Sequence, residues 1–217
     1  MKAEYLAHFG NDDMVCDCAR VSFNKRASSY TAKQNARLIR YLAKNRHVTP
    51  FFHPQIQVRI TAPLFVARQW FRSVVGVARS EVSRRYVDDA PELWSPDTWR
   101  KRPADSIKQG SGEEFPPISA IRLGNIYEAA LDTALNAYEK LLEAGVAPEQ
   151  ARTILPQSME TQWVETGSLA YFARLCALRM DSHAQAEIQH LAHEIAETII
   201  RPLFPVSWPA LMGESHE

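Results

Sequence analysis

In the stretch Gln55-Ile56-Gln57-Val58-Arg59-Ile60-Thr61-Ala62-Pro63-Leu64-Phe65-Val66-Ala67-Arg68-Gln69-Trp70-Phe71 the hydrophobic period changes once. Over the first seven residues, Ile56, Val58 and Ile60 alternate with Gln55, Gln57 and Arg59, the two-residue period of a half-buried strand. Pro63 then suits the first turn of a helix through Leu64, Ala67, Gln69 and Phe71. A strand followed at once by a helix predicts an α+β fold, with a central sheet of antiparallel type and long helices.

The regions on either side fill in that frame. Upstream, Thr31 is placed to cap a helix carrying Leu38, Ile39 and Leu42 and ending near Asn45. Downstream, Gly76 breaks the run, and Glu81 to Tyr86 reads as extended or irregular. Residues 88–118 hold Pro91, Pro96, Pro103, Pro116 and Pro117 with Gly110 and Gly112, and read as a loop-rich surface insertion inside a single domain, 1–217. From about Ser119, Ile126, Ala130, Ala134, Tyr138 and Leu141 recur at helical spacing until Gly145 stops the helix. Pro148 opens a short helix that Pro156 closes, and a last long helix is expected from about Leu169 to Ile200, ended by Pro202. The strand signal is early and the helices are late.

Composition narrows the function classes. The chain has 217 residues, with 25 Lys plus Arg against 25 Asp plus Glu, so its formal net charge is zero. That disfavours a nucleic-acid coat or a polybasic membrane binder. The zero conceals a division: residues 1–85 carry 15 basic and 5 acidic side chains, and residues 86–217 carry 10 and 20. There is no secretory apolar run at the N-terminus and no apolar stretch long enough to span a membrane. The three cysteines, Cys16, Cys18 and Cys176, are an odd number and read as reduced thiols, which with the missing signal predicts a cytoplasmic protein.

Three clusters can carry chemistry. The densest is Arg68-Gln69-Trp70-Phe71-Arg72 followed by Arg79-Ser80-Glu81-Val82-Ser83-Arg84-Arg85-Tyr86, with six arginines between Arg59 and Arg85 and Glu81 the sole acid. Arginine forks match phosphate oxygens and stay charged, so this run suits a phosphorylated small molecule, while a solvated arginine stripe is the plain alternative. The second is His47-Val48-Thr49-Pro50-Phe51-Phe52-His53, whose histidines suit proton transfer, ring stacking or a buried turn. The third lies toward the C-terminus, where Arg179, His183 and Glu187 are spaced to share one helix face opposite Leu175, Leu178, Ile188, Leu191, Ile195 and Ile199. Glu187-x-x-His190 mimics half of a di-iron motif without its second copy, so no metal site is expected. Neither a phosphate-binding glycine loop nor a nucleophile elbow is present. With 8 glycines in the chain, phosphates must be held mainly by side chains.

The run from Arg68 to Tyr86 resembles the signature of the flavin-dependent thymidylate synthases, R-H-R, a short spacer, then S-x-x-N-E-x-S-x-R-Y. Arg72, Glu81, Ser83, Arg85 and Tyr86 are kept, Ser73 and Val74 stand for the usual His and Arg, Ser80 stands for Asn, and the spacer is one residue longer. His47-x-Thr49-Pro50-Phe51-x-His53 is similar to the family's H-x-T-P-F-E-H, with Phe52 for Glu, and Ala19-Arg20-Val21-Ser22-Phe23 to its A-R-V-S-F. Ala151-Arg152 to Leu155-Pro156, and Leu178-Arg179 to Asp181-Ser182-His183-Ala184-Gln185-x-Glu187-Ile188, match its C-terminal half.

The resemblance implies a homotetramer with FAD at subunit interfaces, methylating dUMP at C5 with methylenetetrahydrofolate as carbon donor and NADPH as reductant. It implies that Gln69, Glu81, Ser83, Arg84, Arg85, Arg152 and Arg179 contact dUMP, those from Glu81 to Arg85 out of a neighbouring subunit. Ser22, Thr49, Arg72, Ser73, Val74, Ser80, Arg174 and His183 fall on the FAD site, and His47 near the flavin and folate rings. Arg79 and Arg174 are the candidates to make good the arginine missing at Val74. Arg179 and Ser83 are the catalytic candidates, Arg179 as a fixed cation for charge developing on the uracil ring and Ser83 for positioning. No cysteine lies in the arginine cluster, which agrees with chemistry that needs no enzyme nucleophile. The alternatives are a flavin- and nucleotide-binding homologue without synthase activity, or a nucleic-acid-binding protein.

Overall fold

The computed structural model describes residues 1–87, 89–103 and 110–214. Asp88 and the middle of the expected insertion, residues 104–109, lie outside the described residues.

The sheet has four antiparallel strands in the order β1-β2-β4-β3: β1 is Lys2–Phe9, β2 Gln55–Pro63, β3 Val77–Glu81 and β4 Glu160–Ser168. The central pair runs in register from Gln55 opposite Ser168 to Pro63 opposite Glu160. Ile56, Val58 and Ile60 are fully buried while the residues between them are half-buried, as the alternation predicted. Burying each such side chain is worth about 1.5–3 kcal/mol, which fixes the register of β2 firmly.

Helices cover the sheet. In chain order they are α1 Asp12–Arg20, α2 Ala32–Lys44, α3 Leu64–Trp70, α4 Pro117–Glu143, α5 Pro148–Ala151, α6 Leu169–Arg179, α7 Ala186–Glu194, α8 Arg201–Leu203 and α9 Ser207–Leu211. Thr31 caps α2 through a reciprocal box, its side chain accepting from the Gln34 amide while Gln34 accepts from the Thr31 amide. Gly145, at φ +83°, ends α4 with the left-handed turn that glycine adopts without penalty. Trp70, Trp163, Trp208, Tyr171, Phe172 and Phe204 are essentially inaccessible and belong to one continuous core with the β2 side chains.

Three expectations are corrected. The last helix does not run from Leu169 to Ile200: it stops at Arg179 and restarts at Ala186. The Asp181 carboxylate accepts from the His183 amide at 2.8 Å and the Asp181 carbonyl accepts from Ala184, a local turn that competes with the helix. Arg179, His183 and Glu187 therefore do not share a helix face, and Leu178 is exposed rather than core. Strands are also not confined to the early part, because β4 is central. From α7 the chain continues through a wider π turn, Ile195–Ile200, into α8.

The described residues of the insertion include a short ribbon. Residues flanking Arg100 and Glu114 form an antiparallel bridge, with Lys101 donating to Glu113 and Phe115 to Trp99. Arg100 holds this ribbon to α7 through a 2.5 Å bond from Nη2 to Oε1 of buried Glu187.

Candidate active site

Many, but not all, of the expected site residues line three hollows. The largest, a cleft of about 610 Å³, brings Arg68 of α3 together with Glu81, Ser83, Arg84 and Arg152. Glu81 ends β3, where the Thr161 hydroxyl donates to its carboxylate at 2.7 Å. Ser83 Oγ accepts from the Arg85 amide at 3.3 Å, which turns the chain just beyond the strand. Arg84 is tied at Nη1 to the Asp89 carbonyl (2.6 Å) and carboxylate (2.7 Å). Arg152 is exposed on the short turn Arg152–Ile154, and Arg85 lies 3.8 Å from Glu149.

A second hollow, about 410 Å³, is lined by Gln69, Leu178, Arg179, Asp181, His183 and Gln185. Arg179 closes α6, and its Nη2 donates to the Gln69 carbonyl. Its Nε is buried without a partner among the described residues. Burial, and then the neighbouring Arg72 guanidinium, lower its pKa. Two cations held side by side, one with a donor unsatisfied, favour an incoming anion, and an arginine stays charged under this perturbation. Gln69 donates to Gln185 at 2.6 Å, which fixes the amide that faces the hollow. The Asp181 carboxylate is held below its usual pKa by the amide and imidazole of His183.

The third hollow adjoins the second at Leu178, is about 250 Å³, and is lined by Arg72, Ser73, Val74, Val75, Tyr171 and Arg174. Arg72 has no ion pair among the described residues. Arg174 Nη2 donates to the Val75 carbonyl at 2.7 Å and its guanidinium lies 5.6 Å from the Phe52 ring centre. Gly76 has φ +81°, and a Cβ there would sit 3.0 Å from Ser168 Oγ and 3.2 Å from the Phe52 ring. Phe52 belongs to the single turn Thr49–Phe52, so the histidine segment is packed against the arginine loop. His47 and Thr49 are exposed at that turn, His47 edge-on to Tyr41 at 6.0 Å. Ser22 is exposed between Val21 and Phe23, which are 73% and 75% accessible.

Arg79 differs from the arginines that line these hollows because it points inward to a buried acid. On β3 it stands opposite Glu165 of β4, and Nε bonds the Glu165 carboxylate at 2.5 Å. Ser80, next to it, faces out. Gln185 and Thr161, which hold Gln69 and Glu81, were not assigned from sequence. Their signal was the β3–β4 register and the turn after α6, neither legible from spacing. Among the described residues no group of His, Cys, Asp or Glu is arranged to hold a metal ion.

The family described as thymidylate synthase complementing protein matches residues 4–206. The flavin-dependent thymidylate synthase of Thermosipho melanesiensis is 37% identical over 188 residues, 87% of this chain and 80% of that protein. That of Thermus thermophilus is 35% identical over 201 residues, 93% and 72%. Among solved structures, the UMP/dUMP methylase PolB from Streptomyces cacaoi bound with 5-Br dUMP superposes with a TM-score of 0.87 at 26% identity, covering 98% of this chain and 94% of that one. A partly unsatisfied arginine pair beside an outward-facing loop accommodates the anionic flavin that such a name implies. With the family match running from residue 4 to 206 and relatives of 35–37% identity covering most of both chains, the chain belongs to the flavin-dependent thymidylate synthase family and is an enzyme of that family.

Proposed function

We propose that the enzyme converts dUMP to dTMP, using FAD, methylenetetrahydrofolate as the one-carbon donor and NADPH as reductant. The observation that carries this reading is the arginine arrangement. Arg72 and Arg179 lie together without acid partners among the described residues, and a separate cleft presents Glu81, Ser83, Arg84 and Arg152. Two such surfaces in one copy suit a site completed between copies, as the expected homotetramer requires.

On this reading Arg179 faces the uracil ring. Making C5 nucleophilic places negative charge on the ring carbonyls, and a fixed guanidinium in a partly dry hollow stabilises it with no reorganisation. Gln69, held by Gln185, orients the ring edge, and Arg84 and Arg152 take the phosphate. Ser83 positions the substrate at the turn that its own Oγ closes. Arg72, Arg174 and His183, with Ser22, Thr49, Ser73, Val74 and Ser80, line the flavin side, and His47 stands near the ring end. Bound flavin supplies the reducing equivalents for the methyl group.

The test is a spectrum of the purified protein followed by turnover. The expected protein is yellow, is decolourised by NADPH, and forms dTMP when dUMP and methylenetetrahydrofolate are added. UMP is assayed beside dUMP, because the PolB relative is described as acting on both. Flavin binding without dTMP would leave the inactive homologue. A colourless protein that binds no FAD would refute both, and a steep salt dependence of duplex binding would then favour nucleic acid.

A further inference from the structure

Glu165 is 0% exposed and is a carboxylate in the middle of a core strand. It accepts from Trp70 Nε1 at 3.0 and 3.1 Å, from Trp163 Nε1 at 3.2 Å, from the Tyr171 hydroxyl at 2.8 Å and from Arg79 Nε at 2.5 Å. Four donors from α3, β3, β4 and α6 thus converge on one buried anion. Such a charge is tolerated only when paired and fully hydrogen-bonded. An apolar residue would serve packing at least as well, so the acid calls for a reason beyond stability.

The reason lies at the other end of Arg79. Its Nη2 donates to the Tyr171 hydroxyl at 2.6 Å and to the Ser73 carbonyl at 2.7 Å. Its guanidinium also lies 5.0 Å from the centre of the Phe71 ring. Ser73 sits in the loop from Arg72 to Gly76, the segment that departs from the family signature at Ser73 and Val74. Other bonds hold the same loop: the Ser73 amide to the Trp70 carbonyl at 3.3 Å, Arg174 to the Val75 carbonyl, and the Ser168 amide to the Gly76 carbonyl at 3.0 Å. The buried pair supplies the anchor on the Ser73 carbonyl, next to Arg72.

We infer that Glu165 and Arg79 are positioning residues: the carboxylate holds Arg79 inward so that it clamps the Ser73 carbonyl and aims Arg72 into the flavin side of the site. This assigns Arg79 no flavin contact; it acts through the loop, and its partner Glu165 acts entirely from the core. The inference rests on the proposed flavin site for its functional consequence, while the clamp itself is a property of the loop.

The experiment compares wild type with Glu165→Gln, Arg79→Met and the double variant Arg79→Met/Glu165→Gln. The double variant removes both charges yet keeps a carbonyl oxygen for the indole and phenol donors, so the fold survives. FAD affinity is measured by flavin fluorescence, and hydrogen exchange of the amides from residue 73 to 76 is followed without flavin. Faster exchange in all three folded variants is expected, with FAD affinity about tenfold or more weaker and losses in the double variant smaller than the sum of the singles. Native-like exchange in the folded double variant would overturn the clamp. Loss of FAD affinity in Arg79→Met with full retention in Glu165→Gln would also overturn it, in favour of direct contact. If wild type bound no FAD, the exchange result would still decide the clamp, and only the functional reading would fail.

Discussion

Arg179 has two neighbours that define its chemistry, the Gln69 carbonyl it binds and the Arg72 cation it faces. An arginine left with an unpartnered Nε is a donor held ready. Arg179→Ala is therefore expected to lower turnover by about 10²-fold or more, the scale of losing one preorganised donor to developing charge. Steady-state kinetics at saturating dUMP check this, and wild-type turnover would contradict it. Arg174 is exposed and donates to the Val75 carbonyl; on the proposed reading it also bonds the flavin, and Arg174→Ala should then weaken FAD binding by about 1.5–3 kcal/mol in a titration. At this scale the sequence was legible in its outward side chains: Gln69, Glu81, Ser83, Arg84, Arg152, Arg179 and His183 line two of the hollows, and their roles toward a ligand belong to the proposal. It was uninformative about Arg79, because no local pattern says whether a strand arginine faces solvent or a buried acid 86 residues away.

Among the elements, β2 was legible and β4 was not, for one physical reason. The buried face of β4 is Thr161, Trp163, Glu165 and Gly167, so alternation in burial is present without alternation in hydrophobicity. β1 escaped for the opposite reason, being largely exposed. The break after α6 was hidden because Asp181 acts through its side chain on its own backbone, while the surrounding residues keep helical periodicity. The ribbon of the insertion carries its own prediction. Burial is the strongest single influence on Glu187 and opposes its ionisation, but the bond and charge of Arg100, with hydrogen bonds from its own backbone amide and from Gln185, together outweigh it and leave the pKa below the ordinary 4.5. A carboxyl depressed in the folded state adds stability above its unfolded pKa and loses it as pH falls through the folded value. Wild type should therefore be more resistant to urea than Glu187→Gln near pH 6, with the difference vanishing below the ordinary carboxylate range. A difference that did not shrink as the pH fell would contradict this.

Across the whole molecule, the division of charge takes on a structural meaning. The basic half contributes β1, β2 and β3, the acidic half contributes β4, and the sheet interleaves them. Arg152, Arg174 and Arg179 return from the acidic half to the surfaces that Arg68, Arg72 and Arg84 occupy. The long helix α4 meanwhile leaves Ile118, Ile121 and Ile126 at 85%, 65% and 62% exposure. If a second copy covers them and completes the nucleotide site, Ile121→Asp should shift sedimentation to a smaller species and weaken dUMP binding without loss of helicity. An unchanged sedimentation coefficient would count against that surface.

The strand order also has a consequence for how the polypeptide comes into being. Among the described residues β3 pairs with β4 alone, its nearest partners in sequence being Glu81 and Trp163, 82 residues apart (163 − 81). As the chain leaves the ribosome, β1 and β2 can meet early, but the arginine-rich segment emerges with a bare edge and nothing to pair with. That edge waits through the synthesis of the whole insertion and of α4. Only the arrival of β4 closes both gaps together, and long-range closure of this kind is slow and exposed to aggregation. Nascent chains halted before residue 160 would lack a finished sheet, so the interval between β3 and β4 is where a holding chaperone has most to protect.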